Sequence, residues 1–387
     1  MRYLLLVLWM SGTLAAGAQT SAQLFNQAKQ EADPAQQITL LTRVVAMSPQ
    51  HVGAYHRRAD AYMALHQYPQ AIKDYNRVVA LRPKDPFRYY ARGLAYTRMN
   101  EPALALTDFS KAISLKSNYP DFYVERARVY SALGKFGPAL DDYKTYTQNW
   151  KNLSTPLLRE MVPVALGAYR FDDAQILLTA LQERGEDSAP FYSWQGRILQ
   201  NAAKLDEAIS AYSKAVNRAP QDPQYYRMRG NAFKELGDYN AALEDFTASL
   251  ELEPEAYWFH RRGLVYEETQ QFENALADYD RAVSLDPKWA ETYNNRGYMK
   301  ARLKDFVGAK ADFETAIKLD ANLPTPYINL AGVYWTAKKD RKKMYGELRK
   351  ALQHNFKNTE SLYDDAQKGW LFKGINQTAE FRSLFYK

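Results

Sequence analysis

The chain has 387 residues, 46% hydrophobic and 25% charged, which excludes a disordered polymer and is long for one compact core. It contains no cysteine, so disulfides, thiol catalysis, thiolate metal sites and an N-terminal cysteine lipid anchor are excluded. Its 51 basic and 44 acidic residues leave a formal charge of +7, but they are interspersed, which argues against a nucleic-acid partner.

Arg2, the apolar run Tyr3 to Met10 and the small residues Ala16, Gly17 and Ala18 before Gln19 predict a cleaved signal peptide over residues 1–18. The run is too short for a stable membrane span, so the expectation is an exported chain, periplasmic or secreted. Residues 19–51 keep Leu24, Ala28, Leu41, Val44 and Pro49 at apolar positions, with Gln37 where an alanine is expected. They predict an N-terminal capping pair of helices.

A frame then opens that repeats from residue 52 to about residue 357. Its first positions fall at Val52, Pro86, Pro120, Thr155, Ala189, Pro223, Ala256, Ala290 and Pro324, spaced by 34, 34, 35, 34, 34, 33, 34 and 34 residues. In the copy from Pro223, Tyr226, Gly230 and Phe233 recur at helical spacing, Gly237 interrupts, and Ala242, Phe246 and Ser249 follow on a second helix. Position 8 reads Ala59, Gly93, Ala127, Val162, Gly196, Gly230, Gly263, Gly297 and Ala331. Position 20 is alanine at 71, 105, 139, 174, 208, 242, 275 and 309, then Lys343. Asp85-Pro86 and Asp222-Pro223 place an N-cap before a proline at N1. One such helix pair cannot bury its own apolar face, so copies must stack.

This pattern resembles the tetratricopeptide repeat (TPR). The resemblance implies an all-α, right-handed superhelical solenoid of helix-turn-helix repeats, in which small residues at positions 8 and 20 let helices approach and aromatics fill the gaps. It divides the chain into repeats 1–3 over 52–153, an irregular unit over 154–188, repeats 5–8 over 189–323, a degenerate repeat over 324–357 and a capping tail over 358–387. The irregular unit has Met161 and Val162 at positions 7 and 8, and Pro163 inside its first helix, where a bend and a weak joint between two stacks are expected. The tail offers Trp370, Leu371, Phe372, Phe381, Leu384 and Phe385 to cover the exposed end.

Position 7 is arginine in six repeats (58, 92, 126, 229, 262 and 296), and position 23 is aspartate in the same six (74, 108, 142, 245, 278 and 312). The other three have Met161 with Leu177, Gln195 with Ala211, and Leu330 with Gly346. A bidentate bridge between the two helices explains the pairing; so does shared origin of the six best-preserved copies.

The five histidines, at 51, 56, 66, 260 and 354, are scattered, and no HExxH, EF-hand loop, P-loop or GxSxG occurs. A non-catalytic protein without metal or cofactor is therefore expected. The concave face lined by first helices is the surface that repeat arrays use. Positions 2, 5, 9 and 12 read as its lining. Phe87, Tyr90, Leu94 and His56 stand near one end, and Arg128, Arg159, Arg197 and Arg227 in the middle. Tyr257, Leu264, Glu267, Tyr298 and Trp335 stand toward the other end. The four arginines would form a basic strip for an extended peptide with acidic residues or a free C-terminal carboxylate, with Tyr90 and Tyr257 as anchors. Tyr90 and Trp335 fit equally well as fillers of the gaps between repeats. A carboxylate clamp found in some TPR proteins is matched only at Arg227 and Asn231; Arg261, Glu291 and Asn295 depart from it. The expected function is a protein-protein scaffold or adaptor, with a periplasmic envelope-assembly factor, or a small-molecule or sugar-binding module or enzyme, as alternatives.

Overall fold

The computed structural model describes residues 19–146, 153–354, 370–373, 375 and 378–385. The expected signal peptide at 1–18 lies outside the described residues, as does the segment 355–369 leading into the tail.

The described residues form helices and turns, with no strand among them. The N-terminal pair is α1 (Ser21–Gln30) and α2 (Pro34–Met47), where Gln37 donates to the Glu31 carbonyl. Hairpins 1 to 3 are α3 (Val52–Ala64) with α4 (Tyr68–Leu81), α5 (Pro86–Arg98) with α6 (Pro102–Leu115), and α7 (Pro120–Ala132) with α8 (Phe136–Tyr146). Hairpin 4, the irregular one, is α9 (Thr155–Gly167) with α10 (Phe171–Gln182). Hairpins 5 and 6 are α11 (Ala189–Asn201) with α12 (Leu205–Arg218), and α13 (Pro223–Leu236) with α14 (Tyr239–Leu252). Hairpins 7 and 8 are α15 (Ala256–Glu268) with α16 (Phe272–Leu285), and α17 (Ala290–Arg302) with α18 (Phe306–Leu319). Hairpin 9 is α19 (Thr325–Lys338) with α20 (Arg341–Gln353), and the tail carries a 3₁₀ turn at Trp370–Phe372 and α21 (Ala379–Phe385). Contacts divide the chain between Glu186 and Asp187 into an N-terminal stack, α1–α10, and a C-terminal stack, α11–α21. Hairpin 4 thus belongs to the N-terminal stack.

Local chemistry explains the boundaries. Asp85 and Asp222 accept hydrogen bonds from the backbone N–H of Phe87 and Gln224, at 3.1 and 2.9 Å, and Pro86 and Pro223 occupy N1. Within the hairpins, the chain turns through a left-handed residue at position 15: His66, Asn100, Gly134, Tyr169, Ala203, Gly237, Gln270 and Lys304. In hairpin 9 it is the sixteenth, Lys339. Glycine takes this conformation without strain, and the other side chains take it at a cost of roughly 1–2 kcal/mol offset by the packing on either side.

The two helices of a hairpin close by fitting a ring into a gap. A Cβ built on Gly93, Gly196, Gly263 or Gly297 would stand 2.6–2.8 Å from the ring of Phe109, Tyr212, Tyr279 or Phe313, the residue at position 24 of the same hairpin. Hairpin 4 solves the same volume differently, with Val162 and Leu178, both buried, in place of a small residue and a ring.

The arginine at position 7 is bound on three sides. In all six hairpins its Nε and Nη2 donate to the two carboxylate oxygens of the position-23 aspartate, at 2.6–2.9 Å. Its Nη1 reaches back to the helix before it, to Thr42, Asn76, Ser110, Ser213, Thr247 or Asp280. In four of the six the guanidinium also lies against rings at both positions 4 and 11, as in Arg92 against Tyr89 and Tyr96 and Arg229 against Tyr226 and Phe233, at 5.7–5.9 Å. Of the two sequence readings, the bridge is the one observed.

Pro163 lies inside α9, yet hairpin 4 is densely apolar: Leu158, Met161, Val162, Val164, Leu166, Leu177, Leu178 and Leu181 are all buried. Met161 and Leu177, both buried, stand where six other hairpins have the ion pair and need no desolvation of charge. At the other end, the tail packs on hairpin 9. Leu371, Phe372, Ile375 and Phe381 join Leu330, Val333, Met344 and Leu348 in one core.

Candidate partner-binding surface

Helical spacing put positions 2, 5, 9 and 12 on the groove; the structure buries position 5 in five of the nine hairpins, while Arg159 at that position stays exposed. Val124, Ser193, His260, Asn294 and Ile328, all at position 5, are buried. Two of them bond to the first helix of the next hairpin: His260 Nδ1 lies 3.0 Å from Thr292 Oγ1, and Asn329 donates to Asn294 at 3.0 Å. Position 5 is three residues, a little less than one turn, from position 8, so its side chains border both groove and interface, and the close spacing of the helices claims most of them.

The four arginines of the expected strip are divided between the stacks and are heavily engaged. Arg128 donates to Glu160 through Nε and Nη2, at 2.8 and 3.0 Å, and through Nη1 to Glu125. The bond to Glu160 comes first among the causes that raise the Arg128 guanidinium pKa. Burial by itself would raise the Glu160 carboxyl, but bonds from Arg128 and from the Tyr143 hydroxyl at 2.6 Å bring it below its ordinary value. Arg159 holds one oxygen of Glu186 through Nε at 2.7 Å and through Nη2. Arg227 has a side chain only 11% exposed. It donates to Ser249 at 3.0 Å, pairs with Glu253 and Glu255, and lies 5.2 Å from the Trp258 ring centroid. Arg197 lines a cavity in the C-terminal stack.

Of the expected anchors, Tyr90 packs against Phe109 and Phe122 at 5.9 and 5.2 Å, and burial pushes its phenol up to about 12. It fills a gap between hairpins. Tyr257 is half exposed and stacks on Trp289. Trp335 donates its indole N–H to the carbonyl of Lys373 at 3.0 Å, so the tail covers it.

In the C-terminal stack, residues mostly at positions 6, 9, 12 and 13 line two cavities that share Lys234. The first, about 600 Å³, is bounded by Arg197, Gln200, Tyr212, Met228, Asn231, Lys234, Glu235 and Arg261. Its polar groups are pre-oriented: Arg261 donates to Asn231 at 3.2 Å, Gln200 donates to Glu235 at 2.6 Å and accepts from the Tyr212 hydroxyl at 2.9 Å. The second, about 550 Å³, is bounded by Lys234, Leu264, Glu267, Glu268, Gln270, Phe272, Tyr298 and Arg302. Burial raises the Glu267 carboxyl, while the Tyr279 hydroxyl donates to it at 3.1 Å. Arg197, Leu264, Glu267 and Tyr298 were legible at positions 9 and 12. Lys234 sits at position 12 too, but Arg261 and Glu268 sit at positions 6 and 13, outside the stripe read from the sequence. Among the described residues no group of three or more histidines and carboxylates is placed to hold a metal ion, and no helix is long and apolar enough to cross a membrane.

Known protein families match parts of both stacks. A family model described as "TPR repeat" matches residues 42–100 and 263–304. Models described as "Tetratricopeptide repeat" match 223–256, 159–223, and 88–119 with 290–323. The second of these covers most of the irregular hairpin. Among solved structures, "Crystal structure of MamA" is 21% identical, covering 42% of this chain and 95% of the other at a TM-score of 0.40. "MamA 41-end from Desulfovibrio magneticus RS-1" is 22% identical, covering 44% and 96% at 0.41. "Crystal structure of YrrB: a TPR protein with an unusual peptide-binding site" is 24% identical, covering 49% and 96% at 0.42.

Proposed function

The chain carries tetratricopeptide repeats in both of its stacks, and from that premise we propose that it is a non-catalytic scaffold gripping an extended peptide of a partner protein. The observation that supports this reading is the pair of adjoining cavities sharing Lys234. The first gathers Arg197, Lys234 and Arg261 around one acid, Glu235, and suits a carboxylate, whether an acidic side chain or a chain terminus. The second sets Leu264, Tyr298 and Phe272 beside two carboxylates and suits an apolar residue. First helices of neighbouring hairpins pack about 8–10 Å apart, which an extended chain spans in about three residues. The ligand is therefore an acidic residue with an apolar one about three positions away.

The test is capture. Immobilised protein retains partner proteins from an envelope extract, less so as salt rises. Changing Arg197 and Arg261 together to glutamate, with helicity unchanged by circular dichroism, abolishes retention. Unchanged retention by the double variant would remove the cavities from consideration. The extract is chosen because Arg2, Tyr3 to Met10 and Ala16-Gly17-Ala18 support export, in which case the mature protein begins at Gln19. Recovery from cells of a chain retaining Met1 would place the partner elsewhere.

A further inference from the structure

Two hairpins carry an aromatic pair at the same place: position 2, and the residue just before the next hairpin. In hairpin 2 the pair is Phe87 and Tyr119, with ring centroids 5.0 Å apart. Lys116, the C-cap of α6, sets its ammonium 5.0 Å from the Phe87 centroid and 5.3 Å from that of Tyr119. The chain fills that aromatic corner with its own cation.

In hairpin 7 the pair is Tyr257 and Trp289, parallel within 7° with centroids 6.1 Å apart. The residue at the place of Lys116 is Asp286. Its backbone, φ −132° and ψ 90°, follows that of Lys116, φ −153° and ψ 93°, and Tyr119 and Trp289 are each the N-cap of the following helix. The place of the cation is taken by an aspartate, whose Oδ1 accepts from the backbone N–H of Lys288 at 3.0 Å. Glu291 adds a second carboxylate, accepting from the Trp289 indole N–H at 3.4 Å. Among the described residues no lysine or arginine lies over Tyr257 or Trp289; Arg227 faces the neighbouring Trp258 and is held by Glu253 and Glu255. Tyr257 is 49% exposed. His260 stacks on Trp289 at 4.3 Å, and burial, with Arg261 beside it, lowers its imidazole to about 4. It is neutral at pH 7 and does not repel an incoming cation.

We propose that Tyr257, Trp289 and Asp286 form a binding site for a basic side chain, lysine or arginine, of a partner protein. The partner supplies from outside the cation that hairpin 2 supplies from within. Ring quadrupoles attract a cation over their faces, and the two carboxylates hold a potential of the matching sign at the rim. The site is independent of the carboxylate-binding cavity proposed above: it uses other residues and the opposite charge, so either can fail alone.

The experiment uses the full chain and three capped pentapeptides, Gly-Gly-X-Gly-Gly, with lysine, arginine or norleucine at X. The readout is the indole N–H resonance of Trp289, assigned by its loss in Trp289→Phe. Lysine and arginine peptides shift it saturably, and the norleucine peptide does not. Asp286→Lys rebuilds the self-filled corner of hairpin 2 and weakens the lysine peptide roughly tenfold or more, while Asp286→Asn weakens it by about threefold. Both changes are at a helix cap, and circular dichroism checks that the fold is kept. Equal shifts with norleucine, unchanged affinity in Asp286→Lys, or no shift up to the solubility limit of the lysine peptide would each overturn the assignment.

Discussion

At position 7 one guanidinium joins three helices, two of its own hairpin and one of the hairpin before. The aspartate it binds is nearly sealed from solvent, 5% exposed for the side chain of Asp245, while Arg229 itself is 21% exposed. Removing the arginine therefore leaves a buried carboxylate without its donor. Arg229→Leu alone should destabilise by about 3–5 kcal/mol. Adding Asp245→Ala, in imitation of Met161 with Leu177, should recover much of that loss when urea midpoints are compared. Simple addition of the two single effects would mean the bridge contributes no more than an exposed pair, at most about 1 kcal/mol. This pair was legible in the sequence because both charges appear together or not at all. The third bond was not legible, because Thr42, Asn76, Ser110, Ser213, Thr247 and Asp280 share only polarity. The same limit hid Arg261 and Glu268: a stripe drawn at four positions cannot say how wide the open face is once neighbouring helices have closed on position 5.

Helix pairs are set by volume shared across the hairpin. Seven hairpins place glycine or alanine at position 8 opposite Tyr or Phe at position 24, and hairpin 4 places Val162 opposite Leu178. Leu178→Tyr alone overpacks against Val162 and should cost about 1–3 kcal/mol. Val162→Gly alone loses burial and helix propensity, roughly 2–4 kcal/mol together. Combined, they install the arrangement of the regular hairpins, and the loss should fall well short of the sum. A double variant as unstable as the sum would show that Pro163, not volume, dictates this hairpin. The helices themselves, their caps and their order could be read from the repeat, since the same signals occur nine times and errors average out. The turns could not: only Gly134 and Gly237 announce the left-handed residue, and His66, Asn100, Tyr169, Ala203, Gln270 and Lys304 adopt it because packing on both sides requires the turn there.

Across the whole chain, the backward reach of each arginine matters more than the bridge inside a hairpin. Hairpins 7 and 8 are tied to their predecessors by the charged bonds Arg262 to Thr247 and Arg296 to Asp280, whereas hairpin 9, with Leu330 at that place, meets hairpin 8 through Phe313, Tyr327 and Leu330 and a neutral amide bond from Asn329 to Asn294. Apolar contact yields gradually as surfaces slide apart, while short directed bonds hold over a fraction of an ångström and then part. Under a mechanical load applied at the C-terminus, the tail and hairpin 9 should peel away smoothly at low force. Hairpins 8, 7 and 6 should then detach as separate steps, each at a higher and sharply defined force. An optical trap pulling on Lys387 would record that sequence, and Arg296→Leu should merge the first sharp step into the smooth phase. Yielding in that order would make the C-terminal stack a ratchet, its last tooth opening and closing under tension while the teeth behind it hold.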